Sequence, residues 1–530
     1  MSLSIFDIPH IKDDITQYLS NHDIAQCVLT CKEWFAWFSP SFSYQVDLYN
    51  IATTYYGLSA LEKHRDYVRT ITIRSKVLIS YASALLPFPR LHSLNFEFQE
   101  DLVYRNDALI DIIAAIPSLR SLKLTIKRLR PNTYERLVQT LASHPNLEHL
   151  GLVLLNVEDP QFIPRLLDAC KNYKSLNLYP MALVEVDGTE EHLPESIQPP
   201  NAITDSTQNM RCRDLSIYLP NPTRGYIAVI EMLKLFPLLE RLVLYQTTQE
   251  SLQQVSNLLK DNICPRLKHL RLESVCITDG NMKTIVELIR SVGCWRGNTV
   301  ERLFKDTGYE TNGGLESFVA DFYFLFDASI PQALIECHAK TLTVLDLSNS
   351  RSISFLPFMH AVSSLPKLRS IKAPISLCPD MTHDSHQLEE QLKSPWLCLG
   401  LKTLDLTMAL QNIPGLSSQD VWKDSLADPC ASYIFDQINR LKDLRMLGLR
   451  CSIQLLTMEK GYLTRLSGLM QLRHLVISGS NVSELRENEA NWMIDNWPRM
   501  VHITLRFVDK WEAIKILAKR RPWIVVETVR

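Results

Sequence analysis

The phrase Pro-x-Leu-x-x-Leu-x-Leu recurs along this chain and constrains its fold more than any other feature. It reads PRLHSLNF from Pro89, PSLRSLKL from Pro117, PNLEHLGL from Pro145, PLLERLVL from Pro237 and PRLKHLRL from Pro265. Weaker copies start at Lys171, Lys340, Pro366, Leu399, Lys442, Met470 and Pro498, and degenerate ones at Asp66, Met210 and Gly313, which makes fifteen units. Successive copies start 28 residues apart at 89, 117 and 145, at 237 and 265, and at 442, 470 and 498. The last two leucines of the phrase alternate, so they share one face of a short strand. Between phrases, Leu109, Ile112, Ile113 and Ile116 fall on one helical stripe. Tyr134, Leu137, Val138 and Leu141 form another, as do Met282, Ile285, Val286 and Ile289. The proline opening the next phrase stops each helix. One strand–helix unit cannot close a core, whereas stacked neighbours bury a continuous one.

Over residues ~66–510 this pattern resembles the leucine-rich-repeat family, whose repeats run to ~20–29 residues. The resemblance implies an α/β solenoid over 49–530, with parallel strands on a concave face and helices on a convex one. The family's Asn or Cys after the strand is mostly absent: Gln99, Lys127, Leu155, Val275 and Ser350 stand there. The side-chain ladder that usually satisfies the turn backbone must therefore be replaced, and the solenoid is expected to be irregular. Three stretches interrupt it: 180–209, acidic and proline-bearing, and 376–398 and 410–432, both polar. Long insertions in a compact array are usually functional or disordered.

Strand positions between the leucines point to the concave side. They include Lys123, Asp346, Lys372 and Asp405, and the candidates for binding a protein target: Tyr179, Tyr218, Arg241, Tyr245, His269, Arg271, Arg450, His474 and Arg506. Solvation accounts for most such positions, yet arrays of this kind bind on that side, and Tyr and Arg are enriched among binding hot spots.

Residues 1–48 lack the phrase. Ile11, Ile15, Tyr18 and Leu19 form one short helical stripe; after a cap at Asn21–Asp23, Ile24, Cys27, Val28 and Cys31 form a second, which Trp34, Phe35 and Phe38 extend. So short a segment rarely builds its own core. It resembles an F-box through Ile8-Pro9, Ile15, Tyr18-Leu19, Asp23-Ile24 and Thr30-Cys31-Lys32-Glu33-Trp34. It differs in carrying Ile11 where a Glu is usual, and in a Pro9-to-Ile15 spacing one residue short. The resemblance implies an all-α domain that contacts a Skp-type adaptor through Ile8, Pro9, Ile15, Leu19 and Ile24, with Cys31, Lys32 and Trp34 contributing.

The F-box followed by leucine-rich repeats resembles the substrate receptors of Skp–cullin–F-box ubiquitin ligases. That implies an adaptor, a cullin reached through it, and a protein target. A plain repeat scaffold that recruits no ligase is the alternative. A phosphate-binding loop, a nucleophile elbow, a His-Glu-x-x-His helix and an EF-hand loop are all missing, which counts against an enzyme and predicts no cofactor. Cys378, His383, His386 and Cys398 match no common zinc spacing and read as incidental, so no metal is expected. Net charge is −2, with no basic footprint in any stretch, so nucleic acid is not expected as a partner. The start has neither a basic nor an apolar signal region, and the apolar runs fall short of the ~18 residues a membrane span needs. Twelve cysteines without Cys-x-x-Cys pairs suit a reducing compartment, so a cytoplasmic or nuclear location is expected.

Overall fold

The computed structural model describes residues 15–16, 19, 21–42, 45–47, 62–63, 65–74, 88–97, 106–128, 131–156, 162–180, 211–218, 230, 232–261, 263–275, 281–292, 313–322, 328–350, 353–376, 390, 392–409, 427–450, 456–458, 462–478, 486–506 and 512–529. The chain divides into two compact units, Met1–Tyr218 and Leu219–Arg530.

In the first unit, helices Asn21–Thr30 and Lys32–Phe42 pack on each other, and seven strands follow. They are β1 (Gln45–Asp47), β2 (Thr70–Ile73), β3 (Ser93–Glu97), β4 (Ser121–Arg128), β5 (His149–Asn156), β6 (Ser175–Pro180) and β7 (Asp214–Tyr218). Each pairs in parallel with the next. The register stacks like on like: Leu94, Leu122, Leu150, Leu176 and Leu215 lie in one row, and Phe96, Leu124, Leu152, Leu178 and Ile217 in another. All ten are buried. This follows from the period of two within the phrase and its constant offset from each strand.

The second unit repeats the design with β8 (Arg241–Tyr245), β9 (His269–Val275), β10 (Ser317–Phe322), β11 (Val344–Asp346), β12 (Ile353–Ser354), β13 (Ser370–Ser376), β14 (Thr403–Ala409), β15 (Met446–Arg450), β16 (His474–Ser478), β17 (His502–Arg506) and β18 (Val525–Val529). Pairing is parallel throughout; β11 pairs with β13 as well as β10, and the two-residue β12 extends that junction. The architecture is thus α/β with open parallel strands, consistent with a solenoid. Each of the fifteen phrases leads into a strand; β1, β12 and β18 are strands that the phrase did not signal.

The amphipathic stripes fold as helices Asn106–Ala114, Pro131–Ser143 and Asn281–Ser291. Leu109, Ile112, Ile113, Tyr134, Leu137, Leu141, Ile285, Val286 and Ile289 are buried, while Val138 and Met282 are half-buried. Ile116 is buried from the turn beyond its helix, because Pro117 has already ended the helical hydrogen bonding. In two repeats a 3-10 turn precedes the next phrase, at Met232–Leu235 and at Leu466–Gly468, the latter continuing the one-turn helix Tyr462–Arg465.

A backbone device stands at the start of most of the strands. One carbonyl accepts two N–H groups from the next repeat: Arg120 N and Ser121 N donate to His92 O at 2.8 and 2.9 Å, and Glu148 N and His149 N to Arg120 O at 2.8 and 3.0 Å. The same fork recurs along the second unit, for example with Arg473 N and His474 N on Arg445 O. These forks satisfy turn backbone that would otherwise be orphaned.

The stretch 376–398 begins as the last residue of β13 and ends in a turn whose Trp396 and Cys398 are buried. Helix Ala427–Asn439 takes up the end of 410–432, with Cys430 and Ala431 in the core. Residues 181–209, 377–389 and 410–426 lie outside the described residues.

Candidate functional site

Two surfaces carry the candidate residues. The first is the helical pair near the N-terminus. Ile24 and Phe38 are buried and hold the two helices in place, and the Trp34 ring leans on Phe38 with centroids 5.6 Å apart. Helix Lys32–Phe42 starts on sulfur: Trp34 N donates to Cys31 Sγ at 3.4 Å, and the thiol lies 3.8 Å from Glu33 Oε2. This is the role an oxygen-bearing cap residue ordinarily fills. Cys31 and Lys32 are exposed, Trp34 is half-buried, and Ile15 and Leu19 are also half-buried. Ile8 and Pro9 lie outside the described residues. Pattern reading alone missed Leu29, 78% exposed, and Phe35, 48% exposed. The two side chains leave apolar area open on the helical pair. Leu29 stands one residue past the Ile24/Cys27/Val28 stripe, and that offset was the available signal.

The second surface is the strand face opposite the buried leucines, and in both units it is crossed by ion pairs between neighbouring strands. In the first unit Arg74 bridges Asp47 at 3.6 Å and Glu97 at 3.2 Å, and Lys123 Nζ reaches Glu97 at 3.4 Å. A hydrogen bond from Asn95, then Lys123 and Arg74, holds the Glu97 carboxyl below its ordinary value against the opposing cost of burial. Tyr218, at the end of β7, is buried rather than open. Tyr179 lies on β6, and Arg506 on β17 of the second unit; the side chains of both are outside the described set.

In the second unit Arg241 and Arg271 are exposed, and Tyr245 and His269 are half-buried, across adjacent strands β8 and β9. Arg271 pairs with Glu273. Burial, then the charge of Glu273, pushes the neighbouring Asp321 carboxyl up. Lys372 pairs with Asp346 at 3.2 Å, and Arg450 with Asp405 at 3.4 Å. Gly448 makes the second pair possible: a Cβ there would stand 2.5 Å from Asp405 Oδ1. Among the described residues, buried Asp405 Oδ1 and Arg450 Nε find no hydrogen-bond partner. On β16, exposed His474 stacks edge-on against His502, centroids 5.6 Å apart; burial, then His502 and Arg473, lower its pKa. The structure therefore brings Arg241, Tyr245, His269 and Arg271 together on two strands, while Arg450 and His474 sit on β15 and β16.

Several thiols are turned inward. Burial pushes the thiols of Cys212, Cys264 and Cys398 up to about 12, which keeps them protonated and unreactive. Of the four candidate zinc ligands, Cys398 is buried in its turn, and Cys378, His383 and His386 lie outside the described residues. Among the described residues no three His, Cys, Asp or Glu side chains are placed to share a metal ion. Nor is any described helix long and apolar enough to cross a membrane.

No family model matches the chain. No curated protein matches it either. Solved structures do, among them a crystal structure of the Rad7 and Elc1 complex in yeast, 13% identical over 99% of this chain and 98% of that one, with a TM-score of 0.35. A superposition at that level does not bear on function.

Proposed function

We propose that this chain is a substrate receptor without catalytic residues of its own, whose helical head docks a Skp-type adaptor of a cullin ubiquitin ligase while the open strand face captures a protein target. The observation that carries this reading is the head itself: Leu29, Phe35, Cys31 and Lys32 are open on two short helices that Ile24 and Phe38, both buried, hold together. The F-box resemblance of the same segment, followed by repeats, supports it. Such a receptor acts by proximity. Tethering raises the target's effective concentration beside a charged conjugating enzyme, so no residue here has to serve as nucleophile or base.

Calorimetric titration of the full chain with a purified Skp-type adaptor tests the proposal. Wild type is expected to bind, and Leu29→Asp with Phe35→Ala to bind poorly. Each buried apolar side chain is worth ~1.5–3 kcal/mol, so the pair is expected to cost roughly two to four powers of ten in affinity. Ile24→Asp is the wrong probe, since Ile24 is 4% exposed and its loss would unseat the helices themselves. Failure of wild type to bind the adaptor would remove the ligase reading and leave a plain scaffold.

A further inference from the structure

The turns leading into the strands of the second unit form one rim, and from β13 onward that rim is unusual. Its forked hydrogen bonds fix the geometry: Lys402 N and Thr403 N donate to Arg369 O, Arg445 N and Met446 N to Lys402 O, and Arg473 N and His474 N to Arg445 O, all at 2.8–3.1 Å. Arg369, Lys402, Arg445 and Arg473 therefore occupy equivalent positions on four successive strands, roughly 4.8 Å apart. All four are exposed, and none forms an ion pair among the described residues. Lys367, Lys442 and Arg499 add charge from the same turns, where Asp443 is the one acid.

At two rungs elsewhere the charge is neutralised by its neighbour, Lys174 on Glu148 and Lys268 on Glu316, each at 2.8 Å. Like charges stacked across strands are unfavourable in themselves, so an uncompensated run points to an anion from outside.

The same rim is also apolar. Outside the head helices, every large hydrophobic side chain exposed among the described residues lies on or beside it: Leu397, Leu399, Met470, Val501, Trp523 and Val525. Leu399 opens the turn of Lys402 and Met470 that of Arg473, while Val501 takes the next rung after Arg473. A nucleic acid would leave these apolar groups unanswered, since its interfaces are strongly polar and single strands stack on rings. Among the described residues of these turns the exposed rings are Trp523 and the His474 imidazole, and His474 is already stacked edge-on against His502.

We propose that this rim binds an acidic protein segment in which carboxylates alternate with apolar side chains. Five strand steps at ~4.8 Å span about 24 Å, the length of roughly seven extended residues. The proposal does not depend on the adaptor reading, because it concerns the opposite part of the chain and no residue of the head.

Fluorescence anisotropy of the full chain tests it with a labelled peptide of about ten residues alternating Glu with Leu, an all-Glu peptide of equal length, and an oligouridylate of similar span. The Glu/Leu peptide is expected to bind more tightly than either of the others, and to weaken as sodium chloride rises from ~0.05 to ~0.2 M. Arg369→Glu with Arg473→Glu should weaken it at least about ten-fold, and Leu399→Ser with Met470→Ser at least about three-fold. These side chains are exposed, so circular dichroism should be unchanged; should the charge reversal unfold the chain, Arg369→Ala with Arg473→Ala and the salt titration of wild type carry the test. Oligouridylate binding as tightly as the Glu/Leu peptide, no measurable peptide binding, or folded variants that bind like wild type would each overturn the proposal.

Discussion

His338 is 1% exposed, and its ring joins three segments: Leu315 N donates to Nδ1 at 3.1 Å, and Nε2 lies 3.0 Å from Ile289 O. That network assigns the neutral ring with its proton on Nε2, and burial lowers its pKa to about 4. The folded value lies below the ordinary one near 6.5, so the unfolded chain binds the proton first. Stability from this group is therefore complete above pH ~6.5 and is lost as pH falls toward ~4, by about 3 kcal/mol in all. Gln at 338 can accept and donate at the same two places without titrating. The stability difference between His338→Gln and wild type, from urea midpoints, should shift in favour of the variant between pH 7 and pH 4.5; parallel profiles would refute the assignment. Gly448 is a second residue whose role is local. Gly448→Ala forces Asp405 aside and is expected to cost ~1–3 kcal/mol. Asp405→Ala in the same chain should recover part of that loss, and strictly additive losses would exclude the clash.

Among the elements, the strands were the most legible and the helical contacts the least. A period of two with leucine at fixed places leaves a strand little choice of face, which is why Leu122 and Leu124 are buried and Lys123 open. Leu122→Ala should cost ~2–5 kcal/mol by opening a cavity in a stacked row, whereas Lys123→Ala should stay within ~0.5 kcal/mol; equal losses in a denaturation series would contradict the face assignment. Between helices, arginines reach across repeats in a recurring manner: Arg136 to Asp107 and Asp111, Arg165 to Glu135, Arg290 to Glu336 and Arg465 to Asp436. Partners 25 to 46 residues away in sequence cannot be read from a helical period. Such exposed pairs contribute little, so they trim the stacking rather than create it. Nor did the sequence announce the carbonyl forks, which do at the start of the strand what the missing Asn or Cys does at its end in the family pattern.

At the scale of the molecule, the repeated phrase made the strand–helix architecture legible, but surfaces were only partly so. Cys31, Lys32 and Trp34 marked the head as a segment distinct from the repeats, yet which of its apolar residues stay open depends on how two helices seat. The basic rim was invisible because Arg369, Lys402, Arg445 and Arg473 are dispersed along the sequence and disappear into a net charge of −2. Repeats add their contacts largely between neighbours, so damage at the head should leave the strand face intact, and the two functions should separate. Affinity capture with mass spectrometry measures this directly on three full-length forms: wild type, Leu29→Asp with Phe35→Ala, and Arg241→Ala with Tyr245→Ala and Arg271→Ala. Wild type should recover an adaptor, a cullin and at least one further protein. The head variant should lose adaptor and cullin while keeping the further protein, and the strand-face variant should do the reverse. A cullin retained by the head variant, or absent from wild type, would contradict the division of labour proposed for this chain.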